Sequence, residues 1–363
     1  MKPRPLLLSF CFLLAAWPVL AAERLVLVAG GGTDTNTTQA IAPASARLSN
    51  PFGVDFDREG NLYLVEMTAN RLRRIDRSGK LQVLAGTGAK GGTGDDAPAT
   101  RATFNGPHNL AVTPGGEVFL ADTWNNRVRK LESSSGLLRA VAGTGEAGFS
   151  GDDGPARMAR FGGIYCVSLT HAGDELLLAD LDNRRIRAVS LKTGLVRTVA
   201  GNGSKGVPED GSRAVAAPLV DPRAVIGDRD GRFYVLERSG HALRVVERDG
   251  RIRTVVGASG RSGLSGDGGD GRAATLNGPK HLCLDRDGGV IIADTENHVI
   301  RKYSPGDGRI QRIAGTGQKG DHGLGGAPLA AELNQPHGVT LHANGDLYIC
   351  DSSNHRVLRL DRH

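Results

Sequence analysis

The chain has little of what builds a membrane protein, a disulfide-stabilised domain or a nucleic-acid-binding surface. Only four of its 363 residues are cysteine, and the three beyond residue 21, Cys166, Cys283 and Cys350, lie in separate apolar segments. An odd number of dispersed cysteines favours small buried hydrophobic residues over disulfides. The net charge of +6 is mild and the two signs are interspersed, which argues against nucleic-acid binding. No segment beyond residue 21 matches the length and hydrophobicity of a membrane-spanning helix.

The N-terminal residues differ in composition from the rest of the chain. Lys2 and Arg4 form a short positive start, an apolar run follows at 6–20, and small residues at its end suit cleavage. This pattern is typical of a secretory signal peptide over 1–21 and predicts export to the periplasm or the cell exterior. The apolar run falls short of the about 20 residues that a membrane-spanning helix needs. The rest of the chain, 22–363, is then a single domain.

One sequence pattern is repeated six times. Each copy contains an apolar segment, predicted to be a strand, that ends in an acidic residue. We call these six residues the anchoring acids, and they are spaced 56 to 58 residues apart. They are Glu66, Asp122, Asp180, Glu237, Asp294 and Asp351. A fixed period of this size indicates units that must stack on one another to bury their apolar surfaces.

Each copy predicts four short β-strands separated by turns rich in Gly, Asn and Asp. In the second copy the predicted strands cover 108–113, 117–121, 127–132 and 138–142. Four-stranded antiparallel units in a radial array form a β-propeller, so we predict an all-β, six-bladed β-propeller. The last copy lacks its fourth strand, and Arg24–Gly30 matches the missing segment. The N-terminal strand should therefore pair with the C-terminal blade and close the ring, which removes a free sheet edge.

The repeat resembles the NHL repeat. The segments ADTWNNRVRKL (121–131), ADTENHVIRKY (293–303) and CDSSNHRVLRL (350–360) carry the resemblance, and the linker at 142–161 is similar to the long-linker form found in exported bacterial proteins. The resemblance implies a six-bladed propeller and leaves function open, because relatives with this ring include protein-binding scaffolds, peptidyl-hydroxyglycine amidating lyases and lactonase-like enzymes.

Features shared by several blades are best explained by structure. The Gly-rich linkers fit G-x-G-x-x-G, but no helix pattern follows them, so inter-blade turns are favoured over a dinucleotide site. Acidic residues of these linkers, such as Asp95 and Asp152, could bind calcium or be solvated, and the missing D-x-D-x-D-G spacing favours solvation. The anchoring acids are expected to accept backbone hydrogen bonds. Glu66 and Glu237 depart from Asp and could instead have a functional role.

Function is expected where the copies differ most, at the first position of each innermost strand. The residues there are Phe52, His108, Ile164, Arg223, Lys280 and His337, followed by Gly53, Asn109, Tyr165, Ala224, His281 and Gly338. Innermost strands line the central channel, so these side chains should converge at its mouth. A varied polar set of this kind is typical of a binding site. The predicted ligand-binding residues are Phe52, Asn109, Tyr165, Arg223 and Lys280.

The phrases GPHNL (106–110) and QPHGV (335–339) resemble two Pro-His phrases of the amidating lyases. The resemblance implies that His108 and His337 help to hold a catalytic zinc ion. A third histidine would be expected where this chain has Arg47, and a catalytic zinc usually has three protein ligands. His281 could substitute only if the channel is narrow. The alternative is that both histidines are hydrogen-bonding residues of the channel wall.

Two functions follow from these observations. The favoured one is an exported, monomeric binding module that presents its channel mouth to a protein, peptide or small-molecule ligand. The alternative is a metal-assisted lyase or hydrolase with its active site at the mouth. In that enzyme Arg223 and Lys280 would orient an anionic substrate group, Tyr165 would donate a proton, and His281 is a further catalytic candidate.

Overall fold

The computed structural model describes residues 23–35 and 38–362. The predicted signal peptide, 1–21, lies outside these residues. The predicted all-β, six-bladed β-propeller is confirmed, because six antiparallel sheets follow one another around a ring. No helix in the described part of the chain has the length and apolar character needed to cross a membrane.

Each blade has four main strands, which we letter a to d from the channel outward. Blade 1 comprises Pro51–Phe56, Leu62–Glu66, Arg71–Ile75 and Leu81–Ala85, and blade 2 comprises Asn109–Val112, Val118–Asp122, Arg127–Leu131 and Leu137–Ala142. Blade 3 comprises Ile164–Leu169, Glu175–Asp180, Arg185–Ser190 and Val196–Ala200, and blade 4 comprises Pro222–Gly227, Phe233–Glu237, Ala242–Val246 and Ile252–Val256. Blade 5 comprises His281–Leu284, Val290–Asp294, Val299–Ser304 and Arg309–Ala314, and blade 6 comprises Val339–Leu341, Leu347–Asp351, Arg356–Asp361 and Arg24–Gly30.

Short elements lie in the connections. The two-residue strands Ala97–Pro98 and Gly269–Asp270 extend the sheets of blades 2 and 5. Single-turn 3₁₀ helices cover Pro43–Ser45, Ala99–Arg101, Thr123–Asn125, Ala156–Met158, Ala214–Ala216, Gly271–Ala273, Thr295–Asn297, Pro328–Ala330 and Ser352–Asn354.

The N-terminal strand lies in the last blade. Arg24 is opposite Asp361 and Gly30 is opposite Arg356, so strand d of blade 6 comes from the start of the chain. Leu25 and Ala29 of this strand are fully buried. Both ends of the described chain therefore contribute to one sheet.

The blades pack face to face through the apolar side chains of strands b and c. Leu64, Leu120, Leu178 and Val235 occupy equivalent positions in four blades and are almost completely buried. The three described cysteines, Cys166, Cys283 and Cys350, are free and buried in this core, as predicted for small hydrophobic residues.

The anchoring acids have a structural role in every blade. All six are buried, and each accepts a backbone N–H bond of 2.6–2.9 Å from the segment that leads into strand a of its own blade. The donors are Ser49, Asn105, Gly162, Val220, Asn277 and Asn334.

The possible functional role of Glu66 and Glu237 is not supported by their contacts. Their blades have Ala69 and Gly240 where the others have an asparagine that bonds to the acid, as Asn125 does to Asp122 at 2.9 Å. Both glutamates pair with an arginine of strand c, Glu237 with Arg244 at 2.6 Å and Glu66 with Arg73 at 3.5 Å.

A set of fully buried arginines on strand c was not predicted. Arg129, Arg187, Arg244 and Arg301 are among the largest buried side chains, and each pairs with a carboxylate at 2.6–2.8 Å. The partners are Asp95, Asp152, Glu237 and Asp267. The linker acids Asp95 and Asp152 stay partly exposed to solvent, as predicted, but they also neutralise buried guanidinium groups, which was not predicted.

Candidate functional site

Six polar and aromatic side chains lie where strands a begin. The register of the sheets shows that Phe52 and Arg223 each lie in a bulge, between one residue paired with the anchoring acid and the next paired residue. In blade 3 the bulged residue is Tyr165, since Ile164 pairs with Asp180. The prediction that Ile164 occupies the first channel position is wrong by one residue, and Tyr165 takes its place.

We call Phe52, His108, Tyr165, Arg223, Lys280 and His337 the mouth ring. The Phe52 ring stacks on His337 at a centroid distance of 3.7 Å and meets the edge of His108 at 5.2 Å. His108 lies 4.8 Å from Tyr165, and the Arg223 guanidinium lies 4.4 Å above the Tyr165 ring. The mouth-ring residues of blades 6, 1, 2, 3 and 4 therefore form a continuous line of contacts.

The two histidines of the mouth ring share one protonation pattern. Nδ1 of His108 lies 2.6 Å from the Gly106 carbonyl oxygen, and Nδ1 of His337 lies 3.3 Å from the Gln335 carbonyl oxygen. A carbonyl can only accept, so Nδ1 carries the proton in both rings. Burial and the nearby cations lower the pKa of His108 to about 3 and hold the pKa of His337 well below its usual value. Each neutral ring thus keeps an unprotonated Nε2, which can only accept.

Positive charge surrounds these imidazoles. Lys280 Nζ pairs with Glu296 at 2.6 Å, and Arg238 pairs with Asp221 at 3.1 Å. Arg223 has no such carboxylate partner among the described residues. The charges of Arg223 and Lys280 both contribute to the low pKa values of His108 and His337. The mouth therefore favours an anionic or hydrogen-bond-donating ligand over a cation.

Asn109 and His281 lie one residue further along their strands. The Asn109 amide nitrogen is 2.8 Å from His281 Nε2, and the Asn109 Oδ1 accepts from Val167 N–H at 2.9 Å. The channel is narrow at this level, because residues of blades 2 and 5 touch across it. His281 Nε2 is held by Asn109, which leaves the mouth ring without a third imidazole.

A cavity of about 170 Å³ lies deeper in the channel and has Asp55 and His281 in its lining. Asp55 accepts from Val112 N–H at 2.8 Å and is the single charged side chain at its level of the described strands, where other blades have Ala111, Ser168 or Thr340. Burial raises the pKa of Asp55 to about 6. The sequence shows Asp55 only as one acid in an apolar strand, so this residue was missed.

The mouth ring fits zinc poorly. His108 and His337 supply two ligands, and Arg47, at the position of the expected third histidine, is exposed. Two imidazoles among cations form an incomplete donor set. Within the described residues, the group of three ligand-type side chains with ligand atoms mutually within 4.8 Å is Asp321, His322 and Glu332, which lies in a linker.

The rim of the mouth consists of turns that follow the anchoring acids. Trp124 stands here with 48% of its surface exposed, and its ring is 5.4 Å from His108. Glu296 occupies the equivalent position in blade 5. Trp124 was not predicted, although the residue two positions after each anchoring acid differs from blade to blade and could have marked this second ring.

The family model described as NHL repeat matches three segments, 104–131, 276–303 and 333–360. Protein SUPPRESSOR OF QUENCHING 1, chloroplastic, from Arabidopsis thaliana is 26% identical over 321 residues, which cover 87% of this chain and 25% of that protein. NHL repeat-containing protein 2 from Gallus gallus is 26% identical over 345 residues, which cover 86% of this chain and 46% of that protein. The chain thus spans between a quarter and about half of the length of these relatives.

Solved structures share the fold at low sequence identity. An auxiliary nutrient binding protein from Bacteroides thetaiotaomicron superimposes with a TM-score of 0.66 at 15% identity, over 93% of this chain and 76% of that one. Virginiamycin B lyase from Staphylococcus aureus superimposes with a TM-score of 0.52 at 14% identity, over 94% and 86% of the two chains. These similarities concern the fold alone.

Proposed function

We propose that this NHL-repeat six-bladed β-propeller is an exported binding module that holds its ligand at the mouth ring. The observation that carries the proposal is the continuous line of contacts among five side chains at one end of the channel, His337, Phe52, His108, Tyr165 and Arg223. Structure requires an acidic residue at the anchoring position of each blade, whereas the mouth ring differs in nearly every blade. Such variation on a regular scaffold is what a ligand site needs.

The chemistry of the mouth supports binding without a reaction. Phe52 and Tyr165 offer apolar surface, His108 and His337 offer acceptors, and Arg223 offers a donor. Asn109 and His281 close the channel directly below, so a ligand would rest on the ring. The fold similarity to an auxiliary nutrient binding protein is consistent with this role.

Trp124 provides a direct test. The chain has two tryptophans, Trp17 and Trp124, and Trp17 lies in the predicted signal peptide. In the full chain with Trp17→Phe, the tryptophan emission comes from the rim of the mouth alone. A defined set of short peptides, sugars and organic acids would be titrated while this emission is followed. We expect at least one class to change it saturably.

Hydrogen exchange locates the ligand. A ligand bound as proposed protects amides around His108 and Trp124 and leaves the hairpin turns at 57–61 and 228–232, at the other end of the strands, unchanged. A ligand that protects those hairpins while the mouth exchanges freely would refute the proposal. Arg229→Gln, in one of those hairpins, is the control substitution and should leave affinity unchanged.

A lyase or hydrolase is the second candidate, favoured by the unprotonated Nε2 atoms of His108 and His337. Nδ1–H bonded to a carbonyl is the arrangement that prepares a histidine to bind a metal or to accept a proton.

Metal analysis of protein purified without chelators separates the two functions. A stoichiometric metal that is lost in His108→Ala and His337→Ala, and kept in His171→Ala on an exposed turn, would favour the enzyme. Metal-free protein with full ligand affinity would favour the binding module.

A further inference from the structure

Arg223 differs from the other deeply buried arginines of this propeller. Arg129, Arg187, Arg244 and Arg301 each have a carboxylate within 2.8 Å. Arg223 is only 4% exposed, and in the described part of the chain it forms no ion pair. A buried charge without a counter-ion is costly, so such a residue calls for a ligand.

The guanidinium of Arg223 is only partly hydrogen-bonded. Nη1 donates to the Tyr165 backbone carbonyl at 3.2 Å, and the ring of Tyr165 covers one face. Nε is buried and has no hydrogen-bond partner among the described residues, and no bond from Nη2 is present there either. Nε–H is closed off from solvent, so Nη2–H is the donor that a carboxylate oxygen can reach.

The carboxylates nearby are already committed. Asp221, whose field acts on Arg223, is bonded to Arg238 and to both the backbone N–H and the hydroxyl of Ser239. Glu296 is bonded to Lys280 and Gln335. The charge of Arg223 helps to lower the pKa values of His108, His281 and His337, so its guanidinium lies near these channel residues. Burial lowers the pKa of Arg223 to about 10, so it stays protonated at neutral pH.

We infer that the mouth ring takes a ligand bearing a carboxylate, which accepts a hydrogen bond from Nη2–H of Arg223. This inference rests on the proposed function and adds the chemical class of the ligand. The carbon body next to the carboxylate packs on Tyr165 and Phe52, and a donor group of the ligand bonds to Nε2 of His108. Lys280 adds long-range attraction while it remains paired with Glu296.

The test uses benzoate, with benzamide as a neutral probe of the same shape, in the full chain carrying Trp17→Phe. We expect benzoate to change Trp124 emission saturably and to raise the melting temperature, and benzamide to do neither at the same concentrations. Arg223→Gln should weaken benzoate binding by about tenfold or more, because it removes a charge-assisted hydrogen bond. Arg229→Gln, which makes the same charge change at the far end of the same blade, should bind benzoate as the wild type does.

Equal affinity for benzoate in the wild type and Arg223→Gln, or no benzoate binding to the wild type, would overturn the carboxylate assignment. In either case a sugar or peptide that still quenches Trp124 would leave the binding module intact. If Arg223→Gln does not fold, a crystal structure of the unmodified protein with benzoate decides. A carboxylate bonded to Nη2 of Arg223 supports the inference, and a carboxylate elsewhere, or none, contradicts it.

Discussion

The side-chain amide of Asn109 lies 2.8 Å from Nε2 of His281, although the two residues are 172 positions apart in the chain. The contact joins blades 2 and 5 across the channel and divides the channel into a mouth and a deeper cavity. Asn109 also accepts from Val167 N–H at 2.9 Å, so it links three blades.

Asn109→Ala should therefore destabilise the whole ring. The substitution leaves Val167 N–H and His281 Nε2 without partners in a buried site, at a cost of about 1–3 kcal/mol. Urea unfolding at neutral pH measures the change. Gln318→Ala, which removes an exposed side-chain amide in a linker, should stay within about 0.5 kcal/mol of the wild type. Equal unfolding midpoints for the two variants would contradict the linking role of Asn109.

The two faces of the N-terminal strand offer a matched test of ring closure. Leu25 is fully buried against blade 6, whereas Leu27, two residues on, is 39% exposed. Leu25→Ala should lower the free energy of unfolding by about 2–4 kcal/mol, because it creates a cavity in the closing blade. Leu27→Ala should cost less than about 1 kcal/mol. If both variants melt together, the N-terminal strand does not contribute to the stability of the ring.

The buried arginines should be essential for stability. Arg301 is fully buried, pairs with Asp267, and donates to the carbonyl oxygens of Thr275 and Ser265 in the linker. Arg301→Ala leaves all three acceptors unsatisfied, and a loss of about 3 kcal/mol is expected. Chemical denaturation gives the value, and Arg309→Ala on an exposed strand of the same blade is the control. A loss no larger than that of the control would show that the pair is dispensable.

Asp55 should make stability depend on pH. Its pKa of about 6 in the fold exceeds the usual 3.8, so the protonated carboxyl favours folding below pH 3.8 and this contribution is lost as pH rises through 6. Asp55→Asn keeps an acceptor for Val112 N–H without the charge. The variant should gain stability relative to the wild type between pH 4 and 7, by at most about 3 kcal/mol, the free-energy equivalent of a pKa raised from 3.8 to about 6.

Thermal unfolding at several pH values measures the Asp55 effect. Asp307→Asn, in an exposed turn, should follow the wild-type profile. A constant difference between Asp55→Asn and the wild type from pH 4 to 7 would show that Asp55 titrates as an ordinary surface acid.

The repeat predicted the fold well, because all six blades show the same sequence pattern. A strand that is ambiguous in one copy can therefore be located from the other copies. In blade 2 the predicted strands at 117–121 and 138–142 agree with Val118–Asp122 and Leu137–Ala142 to within one residue. The position of the mouth ring followed from the same repeat. The shift from Ile164 to Tyr165 could not be predicted, because a bulge changes the pairing without changing the spacing of the apolar residues.

Contacts between distant segments could not be predicted from the sequence. Arg127 and Arg129 are alike in the chain, but only Arg129 points into the core, and its partner Asp95 is 34 residues away. The isolation of Arg223 is likewise a property of the folded mouth, since acidic residues stand near it in sequence and are bonded elsewhere. The sequence shows which residues are unusual, and the structure shows which of them lack a partner.

Ring closure by the first strand also has a mechanical consequence. Arg24 and Asp361 face each other at one end of an antiparallel pair, so the two ends of the described chain leave the ring side by side. Tension between them would load the hydrogen bonds of this pair one at a time, beginning at Arg24, as in unzipping. A propeller tethered at both ends would therefore open first at this seam, at low force, while its other five blades stay folded.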